Sequence, residues 1–600
     1  MKLTKSLRTQ SEGDPDWQTP AESSGYRETP GYAETMAYVN RVATAHPDRV
    51  HVERFGTTGE GRDLNLVVIS KDGIFDPSAV HASGRVVLLA QNCIHAGEPD
   101  GKDACLALLR DLVFSEEGDA LLEKVVFVFI PVYNVDGHER RSAFNRINQN
   151  GPELPGWRAN ATNLNLNRDY MKADAPETRA FLRMLERWRP DFFVDNHVTD
   201  GADFEYDVTF ALDDGPDVFP PTARWLRDTV TPELERRVNR AGHLAFPRAV
   251  FLNDDTDPSR GLAFNENPPR FSTGRMILEN RPGLLVEMHM LKDYETRVRG
   301  NYALLHALLE LLNRYPTTLQ ALNRDADEHA SRRGAEAARN EPFPLIVGGN
   351  GDLVSVSFRG REFVREQSAI SGALAVRYGP RPLELTLSMD SGAQVVTSVT
   401  LPAGYIVPPQ WTRVIEVLEL QGVSVDRTTR AWTGEVERYR CTGMQRPGRP
   451  FEGRHPILRG GNVEHEFGQF GTCLRWTETA TFPAGSAVIA LAQRLSKVAV
   501  HWLEPEAPDS ALRWGLFDSI FEQKEGGEGY VLEKLAREEV DQHPDLRAEF
   551  EARLRTDPKF AGSPALRLEF FYERSPWFSA QRVGEYPVGR LLSMDGLPLG

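Results

Sequence analysis

The stretch VVLLAQNCIHAGEPDG, residues 86–101, decides how the rest of the chain is read. Its first five residues are apolar without alternation, which marks a strand covered on both faces rather than an edge strand with one wet face. Residues 100–114 follow with Leu106, Leu109 and Val113 at helical spacing. The same order recurs downstream. VVFVFIP (125–131) is a second buried strand, and PETRAFLRMLERW (176–188) is an amphipathic helix opened by proline. DFFVD (191–195) is a third strand and, after a long insertion, GLLVE (283–287) a fourth, with an apolar helix over 300–313. Strands alternating with helices predict an α/β fold: a mostly parallel or mixed, doubly wound sheet with helices on both faces.

Outward from this core, ETMAYVNRVATAH (34–46) has helical periodicity, and Val50–Phe55 and Asp63–Ser70 read as short strands. The first thirty residues are polar and predict a loose tail. Helical signals fade near residue 335, after the charged run RDADEHASRRGAEAARNE (324–341). Beyond it the chain reads as short strands and turns to about residue 500, then as helix again near 512–555. The expected organisation is a tail (1–30), a catalytic domain (31–335) and a β-rich α+β C-terminal domain (340–600) whose chemistry the sequence does not name. There is no internal repeat.

Composition narrows the function. Lys+Arg 70 against Asp+Glu 86 gives a net charge of −16 over 600 residues. A nucleic-acid or anionic-membrane binder needs a basic face, so neither is an expected partner. No run approaches the length of a membrane span. The opening MKLTKSLRTQ lacks an apolar signal core, so cytoplasmic localisation is the expectation. Four cysteines (Cys93, Cys105, Cys441, Cys473) are too few for a disulfide scaffold, and none falls in a CxxC pair.

In an open α/β sheet, ligands bind beyond the carboxyl ends of the strands. The first buried strand leads to His95 and Glu98, the third to Asn196 and His197, and the fourth ends on Glu287. Two histidines and two carboxylates thus converge on one edge. Two His and one Glu suit catalytic zinc, because three protein ligands leave a fourth position for water. Glu287 would then be the base that takes a proton from the activated water. HxxE alone is a weak signal, with about one chance match expected in a chain of this composition. A decoy exists in His501-Trp502-Leu503-Glu504, which lies in an apolar, strand-like run with no third ligand nearby.

Six motifs in order resemble the zinc carboxypeptidases of the funnelin, or M14, type, over about residues 31–315. They are FGTTGEGRDLNLVVIS (55–70), HAGEPDG (95–101), YNVDG (133–137), GWRANATNLNLNRDY (156–170), DNHVTDG (195–201) and LLVEMH (284–289). The resemblance implies His95, Glu98 and His197 as ligands of one zinc ion per chain, with Glu287 as general base. It implies Asn167 and Arg168 as the holders of a peptide's free C-terminal carboxylate, a natural partner for a guanidinium fork. Arg158 would stabilise the oxyanion, with Arg140, Arg141 and Arg146 as rivals. Two features depart from the family. Asn165 stands where an Asp usually orients a ligand histidine, and the family's active-site Tyr has no counterpart. Tyr206, the only Tyr between His197 and Glu287, lies too close to His197.

His289 shares a strand face with Glu287, and Cys93 lies beside the motif; both read as packing residues. Arg270, Arg275 and Arg281 precede the base strand, where one of them could favour an acidic substrate residue. The expected function is therefore a zinc metallocarboxypeptidase. The alternatives are a zinc amidase or deacylase acting on a modified amino acid or peptide, and a catalytically decayed binding module on the same fold. Oligomeric state is not legible.

Overall fold

The computed structural model describes residues 17–335, 341–458 and 468–600. Eight strands form one mixed sheet: β1 (Val50–Thr57), β2 (Asp63–Ile69), β3 (Val86–Gln91), β4 (Val125–Ile130), β5 (Phe192–Val198), β6 (Val208–Leu212), β7 (Ala245–Phe246) and β8 (Gly283–Met288). Their spatial order is β1-β2-β4-β3-β5-β8-β6-β7. The central four, β4-β3-β5-β8, are parallel. The chain leaves β3 for β4 on one side and reaches β5 on the other, which creates a crevice at the carboxyl ends of β3 and β5.

Uniformly apolar strands follow from having a core on each face. Val86, Leu88 and Ala90 join one cluster with Val39 and Val42 of the helix Tyr32–Ala45, Leu106 and Leu109 of Asp100–Phe114, and Leu304 and Leu308 of Tyr294–Arg314. Val87 and Leu89 point the other way, onto Phe181, Leu185 and Trp188 of the helix Pro176–Trp188. Alternation is present in space but both partners are apolar, so it is invisible in composition.

Of the expected tail, residues 1–16 lie outside the described residues, and the remainder is not loose. Tyr38 donates from its hydroxyl to the Trp17 carbonyl at 3.1 Å, and Thr29 donates to Asp103 at 2.9 Å in a buried contact. Glu22 pairs with the buried Arg110 at 2.6 Å. Few apolar residues are needed when buried charges of the body are the anchors.

The C-terminal region holds a six-stranded antiparallel sheet in the order 426–427, 487–490, 404–407, 589–591, 432–442, 472–482. Between the two sheets, the ladders 343–349/393–399 and 353–367/374–390 form a two-stranded ribbon. The strands Leu353–Gln367 and Leu374–Asp390 are 15 and 17 residues long, not short as expected. One face of the ribbon buries Phe358, Leu387 and Met389 against Phe204 and Tyr206, with more exposed residues alternating between them. Thr412–Leu420 and Ser496–Leu503 are helices where strand or turn was expected, and RWGLFDSIF carries only a tight turn at Asp518–Phe521. Helices Gly529–Gln542 and Pro544–Thr556 fall where helix was expected, and shorter ones continue to Ser579. The boundary expected near residue 340 falls among residues 336–340, outside the described residues.

This region is clamped onto the sheet. Arg270 pairs with Asp509, both fully buried. Arg275 donates to Gln421 at 2.7 Å, and Gln421 donates on to the Tyr170 carbonyl at 2.6 Å. Arg454 holds Asp174 through two contacts at 2.7 and 2.8 Å.

A second buried pair locks the crevice from below. Arg297 reaches Asp100 at 2.7 Å, and its other nitrogens donate to the carbonyls of Asn150, Gly151 and Lys292. Arg297→Met should destabilise the protein by about 3–5 kcal/mol, because it strands Asp100 as a buried charge. Adding Asp100→Asn should recover part of that loss in urea unfolding. Equal stabilities for Arg297→Met and the unmutated protein would show that the pair contributes nothing.

Candidate metal centre

The loop after β3 is fixed before it reaches the site. Asn92 donates to the Ile130 carbonyl at 2.9 Å, and the amides of Tyr133 and Asn134 donate to the carbonyls of Asn92 and Cys93. The Glu98 amide closes a turn on the His95 carbonyl at 3.0 Å, so the HxxE spacing puts both side chains on one side of that turn. Gly97 is required within it. A Cβ there would lie 2.6 Å from the Gly156 carbonyl oxygen and 2.8 Å from Arg146 Cγ.

His95, Glu98 and His197 are buried, with ligand atoms all within 4.8 Å of one another. One carboxylate oxygen of Glu98 faces each imidazole: His95 Nδ1 lies 3.1 Å from Oε1, and His197 Nδ1 lies 3.0 Å from Oε2. The opposite ring nitrogens are already engaged. His95 Nε2 sits 3.1 Å from Asn165 Oδ1, and His197 Nε2 sits 2.8 Å from Asp195 Oδ2. Both rings therefore turn Nδ1 inward, the arrangement in which outer partners fix a ligand histidine's tautomer. Two imidazole nitrogens and a carboxylate are a donor set that fits zinc.

The electrostatics agree with a site built for a cation. Burial, followed by Arg158, pushes His95 down to about 3, which keeps it in the neutral form that binds metal. For His197 burial acts downward too, but Asp195 and Glu98 outweigh it and raise the ring's affinity for a proton. Burial acts upward on Glu98, yet His95 and Arg146 hold its carboxylate well below the usual range. Glu287 lies in register with His197 on the neighbouring strand. Burial pushes its carboxyl up to about 8, with His197 opposing.

Asn167 and Arg168 lie on a short helical turn at Leu166–Arg168. Asn167 contacts His197 Nε2 at 3.3 Å through Nδ2, and its Oδ1 accepts from the Ser272 amide at 2.9 Å. Arg168 stacks on Phe271, 4.1 Å from the ring centre. Burial, then Arg270 and Arg158, pushes its guanidinium down to about 9. Arg158 reaches to 3.6 Å from Glu98 and is half-exposed. Of its rivals, Arg146 is nearer, 3.0 Å from Glu98 and buried. Arg140 binds Glu60 and Arg141 the Thr29 carbonyl, away from the centre.

The other candidates have structural partners. Tyr206 accepts from the Arg359 amide and packs among Phe204, Phe246 and Phe358. His289 stacks on Phe204 and contacts Asp203 at 3.1 Å. Cys93 is buried. Arg270, Arg275 and Arg281 pair with Asp509, Glu279 and Asp327, so none faces a substrate as an unpaired charge. His501 lies on the helix Ser496–Leu503, not on a strand, while Glu504 is taken by Tyr405, Tyr439 and Arg590.

Sequence reasoning missed two contributors. Asp195 was legible as a strand residue two before His197, hence on the same face, but its role was not assigned. It also accepts from Gln91 and Ser272. Glu452 gave no signal at all: its carboxylate accepts from the Asn165 amide at 2.7 Å, across 287 residues of sequence.

Residues 35–204 match the family model for zinc carboxypeptidases. Carboxypeptidase 2 of Trichophyton tonsurans is 22% identical over 497 residues, covering 80% of this chain and 82% of that protein. Carboxypeptidase 2 of Trichophyton rubrum is 21% identical over 495 residues, with the same coverage of 80% and 82%. Among solved structures, the carboxypeptidase A of Helicoverpa armigera is similar over 50% of this chain and 75% of that chain, at 16% identity and a TM-score of 0.35.

Two outcomes are expected. His197→Ala should lose most of its zinc by elemental analysis, whereas Asp195→Asn should keep the stoichiometry and bind about 10–100-fold more weakly in chelator competition. His501→Ala should leave metal content unchanged. In the metal-free protein, Glu287 holds a proton that the unfolded chain releases above its ordinary value. Stability should therefore fall as pH rises from about 4.5 to about 8. Glu287→Gln should remove that component of the pH profile, read as the difference between the two melting curves.

Proposed function

We propose, on the premise that residues 35–204 form a zinc carboxypeptidase domain, that this chain is a metallocarboxypeptidase releasing residues from the free C-termini of peptides. The observation that supports this most is the shared Glu98 carboxylate, one oxygen towards the Nδ1 of each ligand histidine, with Glu287 beside His197. One zinc ion held by His95, Glu98 and His197 would supply a Lewis acid for the scissile carbonyl and for water.

The chain's own residues account for the rest. Glu287, raised towards neutrality by burial, takes a proton from the attacking water and returns it to the leaving amine. Arg158, half-exposed at the rim, donates to the oxyanion that develops on the carbonyl oxygen. Arg168 and Asn167 receive the terminal carboxylate. The half-buried Arg168 guanidinium lies near two other arginines, Arg270 and Arg158, and donates to the Asn167 carbonyl at 2.7 Å. A carboxylate arriving there relieves that repulsion, and this contact confers the preference for a free C-terminus.

Glu287→Gln should retain zinc and fold while turnover falls by ~10²–10⁴-fold. Arg168→Ala should cost about 2–5 kcal/mol in transition-state binding for free C-termini and little for amidated peptides, so the ratio between them collapses. Comparable cleavage of free and amidated peptides by the unmutated protein would favour the amidase reading.

The disulfide Cys441–Cys473 joins facing positions of neighbouring strands. It supports an oxidising compartment rather than the cytoplasm expected from the sequence. Thiol titration of the denatured, unreduced protein should count Cys93 and Cys105 alone; four reactive thiols would restore the cytoplasmic reading.

A further inference from the structure

One turn of the C-terminal region comes within a single intermediary of the His95 ring. Phe451 and Arg454 pair across it, their amides donating to each other's carbonyls at 2.7 and 3.1 Å. The two residues between them, Glu452 and Gly453, both have left-handed backbones, with φ of 48° and 73°. Turns with two such residues favour Asn, Asp and Gly, because other side chains crowd the backbone there. Glutamate is a costly choice at the first position. A residue is kept in such a conformation when its surroundings over-determine it, and here the side chain supplies the reason.

Glu452 Oε2 accepts from the Asn165 amide at 2.7 Å. Asn165 turns its own Oδ1 to His95 Nε2 at 3.1 Å and to the Asn167 amide at 3.0 Å. The carboxylate therefore fixes the backbone from which the histidine's outer partner springs, through a bond strengthened by its charge. The turn is firmly presented. Arg454 donates twice to Asp174, and a Cβ on Gly453 would lie 3.4 Å from Leu164, so the turn is seated on the 164–174 segment. Further back, the Cys441–Cys473 disulfide joins the two ends of the loop that carries the turn. Within that loop Arg446 donates to the carbonyls of Leu512 and Arg513, each at 2.7 Å.

We propose that Glu452 is a positioning residue of the metal centre: it holds the Asn165 backbone so that Oδ1 faces His95 Nε2, and it thereby sets how tightly the centre binds zinc. The inference rests on the zinc centre proposed above and is independent of which substrate is cleaved. A neutral amide has no charge with which to draw an imidazole to itself. The orientation of His95 then depends on where the backbone of Asn165 is held, and an acid from a distant part of the chain does the holding.

Two variants separate reach from charge. Glu452→Asp suits a left-handed backbone better and keeps the negative charge near Lys172 and Arg168, but its carboxylate is one methylene short of the Asn165 amide. Glu452→Gln keeps the length and an acceptor oxygen and removes the charge. Zinc affinity is read by chelator competition on the full-length protein, and folding by thermal melts of the metal-free form. Peptide turnover is not the readout, because the charge of Glu452 also bears on Arg168. Glu452→Asp should melt with the unmutated protein yet bind zinc about ten-fold more weakly, while Glu452→Gln should stay within about three-fold. With cobalt(II) as the probe, Glu452→Asp should shift the visible bands that report ligand geometry, and Glu452→Gln should not. In an Asn165→Ala background the intermediary is gone, so adding Glu452→Asp should change zinc affinity by less than about two-fold. Unchanged zinc affinity in Glu452→Asp, or a loss as large with Asn165→Ala as without it, would overturn this inference and leave the zinc centre standing. An unmutated protein that takes up no zinc would overturn the centre and the inference together.

Discussion

Glu98 sets one carboxylate oxygen against each of two imidazoles, and much of the buried polar structure around it keeps that arrangement in place. Asp195 and Asn165 hold the far sides of the rings, Asn167 touches one of them, and Arg146 sits on the carboxylate itself. Each of these groups is anchored in turn: Asp195 by Gln91 and Ser272, Asn167 by the Ser272 amide, Asn165 by Glu452. The geometry of the cluster is therefore set by a network that reaches from the ends of β3 and β5 to Glu452 in the C-terminal region. Loosening any outer member acts on the centre through orientation rather than through loss of a donor.

The sheet explains why these groups meet. Parallel strands deliver their carboxyl ends to one edge, and the reversal of winding at β3 and β5 leaves that edge uncovered. Covering both faces with apolar helices frees the crevice from any need to contribute to the core. Polar and charged residues can gather there, and His95, Glu98, Asn167, Asp195 and His197 are held by one another.

Where the sequence was legible, it was because local pattern and chemistry coincided. VVLLA is apolar throughout because both of its faces are buried, and its abrupt passage into a loop carrying His95 and Glu98 signals the edge at once. His197 and Glu287 could be read the same way. What stayed hidden depended on distant partners. Nothing near Asn165 announces Glu452, and nothing near Arg270 announces Asp509, so an arginine before β8 could be read as surface or as a substrate contact when Arg270 is a buried clamp. VAVHWL lacks a period because its helix is buried all round, which made His501 look like a strand residue.

The contact between Glu452 and Asn165 also constrains the order of events during synthesis. Asn165, Arg168, His95 and His197 leave the ribosome more than 200 residues before Glu452, Arg454 and Arg413 can reach the 165–174 segment. Until then the Asn165 amide and Asp174 lack these partners, and the segment that carries Arg168 lacks its contacts with the C-terminal region. The sheet can form early from its own strands, but its working edge is completed last.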